Sequence, residues 1–400
     1  MKIAVLGGLG IQGRAALTDL SNSKIVDEVI CADANLDMWE NISRWVDVKK
    51  IHPVKINAEK SEELTCLLGQ EVDAAIDLLP SFFMTNAFEA AIEAGVPMIS
   101  TNYGSEIRHL HNAAITAGIA LMPECGLDPG IDLIIIGHAA RQFDELHVIN
   151  TYCGGFPEKK ACDNPLNYKI SWNWDMVLRA QRRESVFIKN GQRFVVSADD
   201  QHDNEMIHPI NFPGLGELEA VPNGDAVFYT DLFGVTDTIQ EAGRYAFRWP
   251  GWCDFWRPLK KFGFLSDKSL EGLDCQVSPH QFLVNLMGPQ LQYRDDEKDI
   301  VAMYNVFEGL QGGRKKKMTT TLMIERDLKT GLFAMSIGVG YTASIVAQMI
   351  GSGQIPQKGV LNPAVDVPYA PFRAELSRRG IEVTEDVKYK FSQDETKRQH

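Results

Sequence analysis

Residues 5–15 read VLGGLGIQGRA, which puts four glycines within seven positions directly after the apolar run KIAVL. Glycine is costly to order and weak inside helices and strands, so a cluster at the end of a strand needs a reason. Gly8, Gly10 and Gly13 form G-x-G-x-x-G between a predicted strand and a predicted helix. In that setting Gly8 permits a tight turn, Gly10 lets a pyrophosphate approach the backbone, and Gly13 lets the helix pack against the strand. Ile11 and Gln12 then fall in the first helical turn, whose N–H groups and positive dipole end favour phosphate. Asp33 closes the next predicted strand, twenty residues after Gly13. A carboxylate there accepts hydrogen bonds from the adenosine ribose and repels a 2′-phosphate, so the reading is NAD, with NADP possible. The alternative is a glycine-rich turn with no ligand.

The rest of the first third alternates strand and helix. VDEVICAD, EVDAAIDLLP, MIST and IALMPECG read as strands; TNAFEAAIEAGVP and SEIRHLHNAAITAG read as helices, the first stopped at Gly95. This pattern predicts an α/β Rossmann domain, a doubly wound parallel sheet. Loops at the carboxyl ends of its strands should line a crevice. They are 78–83, with Leu78, Leu79 and Pro80 beside the nicotinamide ribose; 100–104, with Thr101; and 124–130. Tyr103 and Asp128 are expected near the reactive carbon, though each also fits a purely structural role.

Beyond about residue 130 the alternation fades, and an α+β domain with a mostly antiparallel sheet is expected. ELHVINTYCGGFP reads as a strand, and SVFIKNGQRFVV as a hairpin turning at Asn190-Gly191. The stretch 299–340 reads as three antiparallel strands, with helical stretches around 236–246 and 279–288. An apolar helix, YTASIVAQMIGSGQI, follows and is expected to dock back on the nucleotide domain. The domain boundaries are therefore drawn at 1–128, with 340–400 packing back on it, and 129–339 for substrate binding and dimerisation. The tryptophans of SWNWD and RWPGWCDFW are assigned to packing, and the polar last ten or so residues are expected to be poorly ordered.

Composition narrows the function. The chain has 400 residues, 44% hydrophobic and 23% charged, with a net charge of -13. An acidic chain repels nucleic acid and anionic lipid, and its longest apolar runs look too short to span a bilayer. The basic run GGRKKKM at 312–318 reads as a solvated hairpin turn. The seven cysteines, among them Cys275, include no CxxC pair and no zinc spacing with histidine. A cytoplasmic protein with free thiols, without metal, nucleic-acid or membrane partners, is expected.

ECGLDPGIDLIIIGHAA, then YCGGFPEKKACDNPLNYKISW, resembles the saccharopine dehydrogenase family, in particular its glutamate-forming branch. The likeness extends to GYTASIVAQMIGSGQIPQKGVLNPAVDVP and is shared by lysine 6-dehydrogenase, an NAD-dependent relative. The resemblance implies a homodimer that transfers hydride between the nicotinamide and a carbon bearing nitrogen, on an amino-acid substrate of lysine metabolism. It places Tyr103, Asp128 and Cys153 near the substrate. Asp128, Lys169 and Tyr103 are the candidates for taking the amine proton, Lys169 only if a dry pocket depresses its pKa. One departure stands out: the family's Pro-Asn-Arg-Asp segment, whose arginine grips a substrate carboxylate, reads VPNGDAV here, with Gly224 at the arginine position. Either another arginine, such as Arg244 or Arg179, takes over, or the substrate lacks that carboxylate. The remaining alternatives are lysine 6-dehydrogenase or a related amine dehydrogenase, and a non-catalytic NAD-binding sensor.

Overall fold

Short runs of Ile, Val, Ala and Leu closed by glycine, proline or aspartate become strands buried on both faces, which is what a parallel sheet covered by helices requires. The computed structural model describes residues 1–272 and 276–390. The chain divides into two compact units, Met1–His138 with Lys329–Glu382, and Ala139–Leu328 with the described residues from Val383. Cys275 and the tail beyond Lys390 lie outside the described residues.

The first unit holds β1 (Lys2–Leu6), β2 (Glu28–Asp33), β3 (Ile51–Lys55), β4 (Ala74–Asp77), β5 (Met98–Ser100) and β6 (Ala120–Met122). With the edge strand Gly359–Val360 they form an all-parallel, seven-stranded sheet. From one edge the order is Gly359–Val360, β6, β5, β4, β1, β2, β3, the doubly wound arrangement, which reverses between β1 and β4. The sequence pattern did not mark the two edge strands. IHPVK carries Pro53 and is largely exposed, and the 359–360 pairing is two residues long. The predicted helix SEIRHLHNAAITAG is split into a 3-10 segment, Gly104–Leu110, and an α-helix, His111–Ala117.

The second unit is built on a nine-stranded mixed sheet. Its main order is His208–Phe212, Gly216–Pro222, Glu241–Arg248, β7 (Glu145–Pro157), Asp299–Gln311, Arg314–Glu325 and Val383–Lys390. The hairpin Ser185–Lys189/Gln192–Val196 joins through Glu241–Arg248. Only Glu241–Arg248 with β7 is parallel among the described pairs. Against this sheet Trp174, Trp252 and Trp256 are buried together with Tyr168 and Leu283. The run at 312–318 is a hairpin, turning at Gly312 and Gly313 with φ of 57° and 73°.

Three expectations are corrected. Residues 241–248 form a strand, and the helix nearby is Val227–Leu232. The third strand expected before residue 340 is the first half of a longer helix, Ala334–Gly351. An apolar run gives no periodicity to tell buried strand from buried helix. Finally, 340–400 does not all return to the first unit, because Val383–Lys390 pairs antiparallel with Arg314–Glu325.

By length and composition alone, Ala334–Gly351 is apolar enough to cross a membrane. In the fold it is a core helix of the first unit, packed on the helix Ile11–Asn22. A Cβ at Gly340 would lie 2.7 Å from the Gln12 carbonyl oxygen and from the Ala16 nitrogen, so the two backbones meet closely. Buried charge locks the contact. Asp19 receives a hydrogen bond from Ser344 Oγ at 2.6 Å and from Arg379 Nε and Nη2 at 2.5 and 3.0 Å. Removing one partner of a buried ion pair leaves the other charge uncompensated. Arg379→Met is expected to lower the unfolding free energy by about 3 kcal/mol, read as a reduced urea midpoint.

Candidate functional site: the glycine loop and the carboxyl edge of the parallel sheet

The glycine loop is held at the switch point between β1 and β4. Gly7 and Gly8 N–H groups both donate to the Ala32 carbonyl, at 2.8 and 3.3 Å, and Gly10 N–H donates to the Gly7 carbonyl at 3.2 Å. The turn itself falls on Gly7, with φ of +74°, and not on Gly8. Gly8 serves close approach instead, since a Cβ there would lie 2.7 Å from Cys31 Sγ. Gly7 is thus the loop residue that the motif spacing missed. A side chain at Gly13 would collide with the carbonyl oxygens of Gly7 and Gly8. Gly10 is different: a Cβ would meet only the Gly7 carbonyl oxygen, at 3.3 Å, and the residue is exposed. Its lack of a side chain therefore leaves room for something outside the chain.

What that something would be follows from the helix behind it. Ile11–Asn22 begins at Gly10 with no side-chain cap and no acidic residue in its first turn. The Ile11, Gln12 and Gly13 N–H groups have no acceptor among the described residues, and Gln12 Oε1 is buried without a partner. Uncapped N–H groups on a helix dipole suit an anion. Asp33 ends β2 beside the loop, accepting from Leu9 N–H at 3.0 Å and Asn35 N–H at 3.3 Å. These residues fit a dinucleotide, with the pyrophosphate at Gly10–Gly13 and the ribose at Asp33.

The neighbouring loops are pinned by a buried carboxyl that the sequence did not single out. Asp77, fully buried at the end of β4, accepts from Ser100 Oγ at 2.8 Å and Leu79 N–H at 3.1 Å. Asn102 Nδ2 closes the set by donating to the Leu79 carbonyl at 3.1 Å. Leu78 N–H donates to the Leu6 carbonyl at 2.9 Å, and the Leu78 carbonyl stands 2.8 Å from where a Gly7 Cβ would be. So Leu78, Leu79 and Pro80 adjoin the glycine loop, and Thr101 follows β5 at the same edge. Tyr103 is half-exposed just before Gly104–Leu110. Asp128 sits in a loop where Gly126 N–H donates to the Pro129 carbonyl and Ile131 N–H to the Gly126 carbonyl, at 3.0 and 3.1 Å.

Cys153 and Lys169 belong to the second unit. Cys153 is buried on β7, paired with Ala246 and Met303. Lys169 does not fit a proton acceptor. Its Nζ lies 2.8 Å from both Glu297 oxygens and 3.0 Å from Asp163 Oδ2. All three ammonium protons are committed to carboxylates. Burial works to raise the Glu297 carboxyl, but hydrogen bonds from Lys169 and the Arg294 N–H outweigh it and hold it below the usual range. Arg179 is likewise engaged, with Asp175 at 2.7 Å and Asp267 at 3.3 Å.

Comparison with known proteins places this arrangement. A family model described as the saccharopine dehydrogenase NADP binding domain matches residues 3–122, and one described as the saccharopine dehydrogenase C-terminal domain matches 126–381. The chain belongs to the saccharopine dehydrogenase family. Its nucleotide domain is of the family's NAD(P)-binding type. Among relatives, it is 25% identical to the mitochondrial alpha-aminoadipic semialdehyde synthase of Mus musculus, over 95% of this chain and 47% of that protein. It is also 25% identical to the saccharopine dehydrogenase [NADP(+), L-glutamate-forming] of Pyricularia oryzae, over 96% of this chain and 99% of that one. The chain spans about half the length of the synthases it matches. Its fold is that of the apo saccharopine dehydrogenase (L-Glu forming) from Saccharomyces cerevisiae, with a TM-score of 0.85 at 23% identity, covering 97% of this chain and 99% of that one.

Burial pushes the Asp77 carboxyl up to about 6, against hydrogen bonds from Ser100, Leu79 and Asn102 that pull it down. The unfolded value is about 3.9. A raised folded pKa gives stability that is complete below the unfolded value and lost as pH rises through about 6. Asp77→Asn removes that dependence. Urea unfolding from about pH 4 to 7 should therefore show the variant gaining about 2 kcal/mol on the parent.

Proposed function

We propose that this chain is an NAD(P)-dependent oxidoreductase that moves hydride between the nicotinamide and a carbon bearing nitrogen, as saccharopine dehydrogenases do. The uncapped helix start behind Gly10, with Asp33 beside it, is the observation that carries the reading. The nicotinamide, when bound, supplies or accepts the hydride. Removing hydride from the carbon of an amine is easier once the nitrogen is neutral, because its lone pair stabilises the developing iminium. Asp128 and Tyr103 are the candidates for taking that proton, and Lys169 is set aside by its carboxylate partners. Water then adds to the imine, and the nitrogen leaves as amine, giving an aldehyde. Holding the amine against the cofactor supplies more of the rate than any one acid–base group.

Gly224 favours a second reading, oxidation of lysine or a related amine in place of saccharopine. A dehydrogenase assay following NADH over saccharopine, lysine, and aldehyde with amino-acid pairs separates the two. Turnover with saccharopine supports the first reading, turnover with lysine alone the second, and none with any amine would leave a non-catalytic NAD-binding protein. A homodimer in the cytoplasm belongs to the same proposal.

Asp33 makes the cofactor preference testable. NADH is expected to bind more tightly than NADPH in a fluorescence titration, and Asp33→Ala should narrow the difference about tenfold, the worth of one charge-assisted contact. Tighter binding of NADPH by the parent would defeat the assignment.

A further inference from the structure

The loop after β6 turns left-handed at a residue poorly suited to it. Glu124 has φ of +63°, a region that side chains other than glycine enter only where their surroundings hold them. It is also buried. Its backbone and its side chain both bond to the loop 100–104. Glu124 N–H donates to the Asn102 carbonyl at 2.9 Å, and Glu124 Oε1 accepts from Gly104 N–H at 3.1 Å. These two bonds fall on either side of Tyr103. Asn102 is fixed again through its own N–H to Ser100 Oγ and through Nδ2 to the Leu79 carbonyl, each at 3.1 Å. Gly104 is pressed onto the segment that carries Glu124, since a Cβ there would lie 2.5 Å from Pro123 Cγ. Tyr103 itself is half-exposed, so its ring stands where the backbone on either side directs it. Asp128 lies four residues beyond Glu124 in the same loop. Glycine would enter this φ without strain. What a glutamate adds is a carboxylate bonded to Gly104 N–H.

We propose that Glu124 is a positioning residue: it clamps the backbone before and after Tyr103 and so fixes the phenol against the loop that carries Asp128. A carboxylate suits the task, because its bond from an N–H is charge-assisted and burial shields it from competing water. The catalytic purpose of the clamp rests on the amine-oxidising reading above. The clamp itself can be read on Tyr103 without turnover.

The test uses the full chain labelled with carbon-13 in its tyrosine rings. The chain has ten tyrosines, and Tyr103→Phe identifies the signal of interest. Glu124→Gly removes the carboxylate while easing the backbone, so stability and clamping are separated. The Tyr103 signal is expected to shift or broaden in that variant, with the other tyrosines unmoved. Glu124→Gln should return it part of the way, because the amide oxygen still accepts. With any amine that the parent oxidises, Glu124→Gly should lower kcat about tenfold or more, as for a misplaced reacting group. The KM for NAD should stay near the parent's. Should circular dichroism show Glu124→Gly unfolded, Glu124→Asp decides, since it keeps the charge and shortens the reach. A Tyr103 signal identical to the parent's in the deciding variant would overturn the clamp, and so would an unchanged kcat. A freed Tyr103 in a chain whose parent oxidises no amine would instead uphold the clamp and count against the oxidoreductase reading alone.

Discussion

The first unit depends on one close approach: the helix Ile11–Asn22 can begin where it does only because Gly13 carries no side chain against the carbonyl oxygens of Gly7 and Gly8. That contact sets the helix start at the end of β1 and aims its uncapped N–H groups over the switch point of the sheet. The same helix accepts Ala334–Gly351 on its other side, again through a glycine, Gly340, against the backbone of Gln12 and Ala16. Two small residues therefore connect the uncapped front of the helix to the packing of a segment more than three hundred residues away in the chain.

Charge is used in two ways around this frame. Where it is buried and paired it fastens structure: Asp19 with Arg379 in the first unit, Lys169 with Glu297 and Asp163 in the second. The Lys169 cluster is a poor candidate for chemistry, because all three ammonium protons are already engaged. Asp77 is intermediate, a buried carboxyl that accepts from the Ser100 hydroxyl at the end of β5 and from Leu79 N–H after β4, and so ties the two segments together. Distinguishing these classes takes partners and distances, which residue type does not supply.

Much of the nucleotide domain was legible as sequence because its signals are local. The glycine spacing, Asp33 and the short apolar runs each act within a few residues of themselves, and the sheet built from them is the expected parallel one. The turn falls on Gly7 and not Gly8, since adjacent glycines are indistinguishable on paper; Gly7 takes the positive φ, and a side chain there would also meet the Leu78 carbonyl, seventy-one residues away. Lys169 looked like a base because its partner Glu297 lies 128 residues on, where no spacing rule reaches.

The amino-acid order by itself determined the class of the first unit, the place of the glycine loop and the membership of the family, since each rests on short-range pattern or on extended motif. Tertiary structure alone decided that 334–340 is helix and not strand, and that Val383–Lys390 leaves the nucleotide unit for the antiparallel sheet. It also decided which arginine stands at Gly224. The physical reason is the same in each case: burial, register and ionic partnership are set by residues distant in the chain, and an apolar or charged side chain carries no mark of the neighbour it will meet.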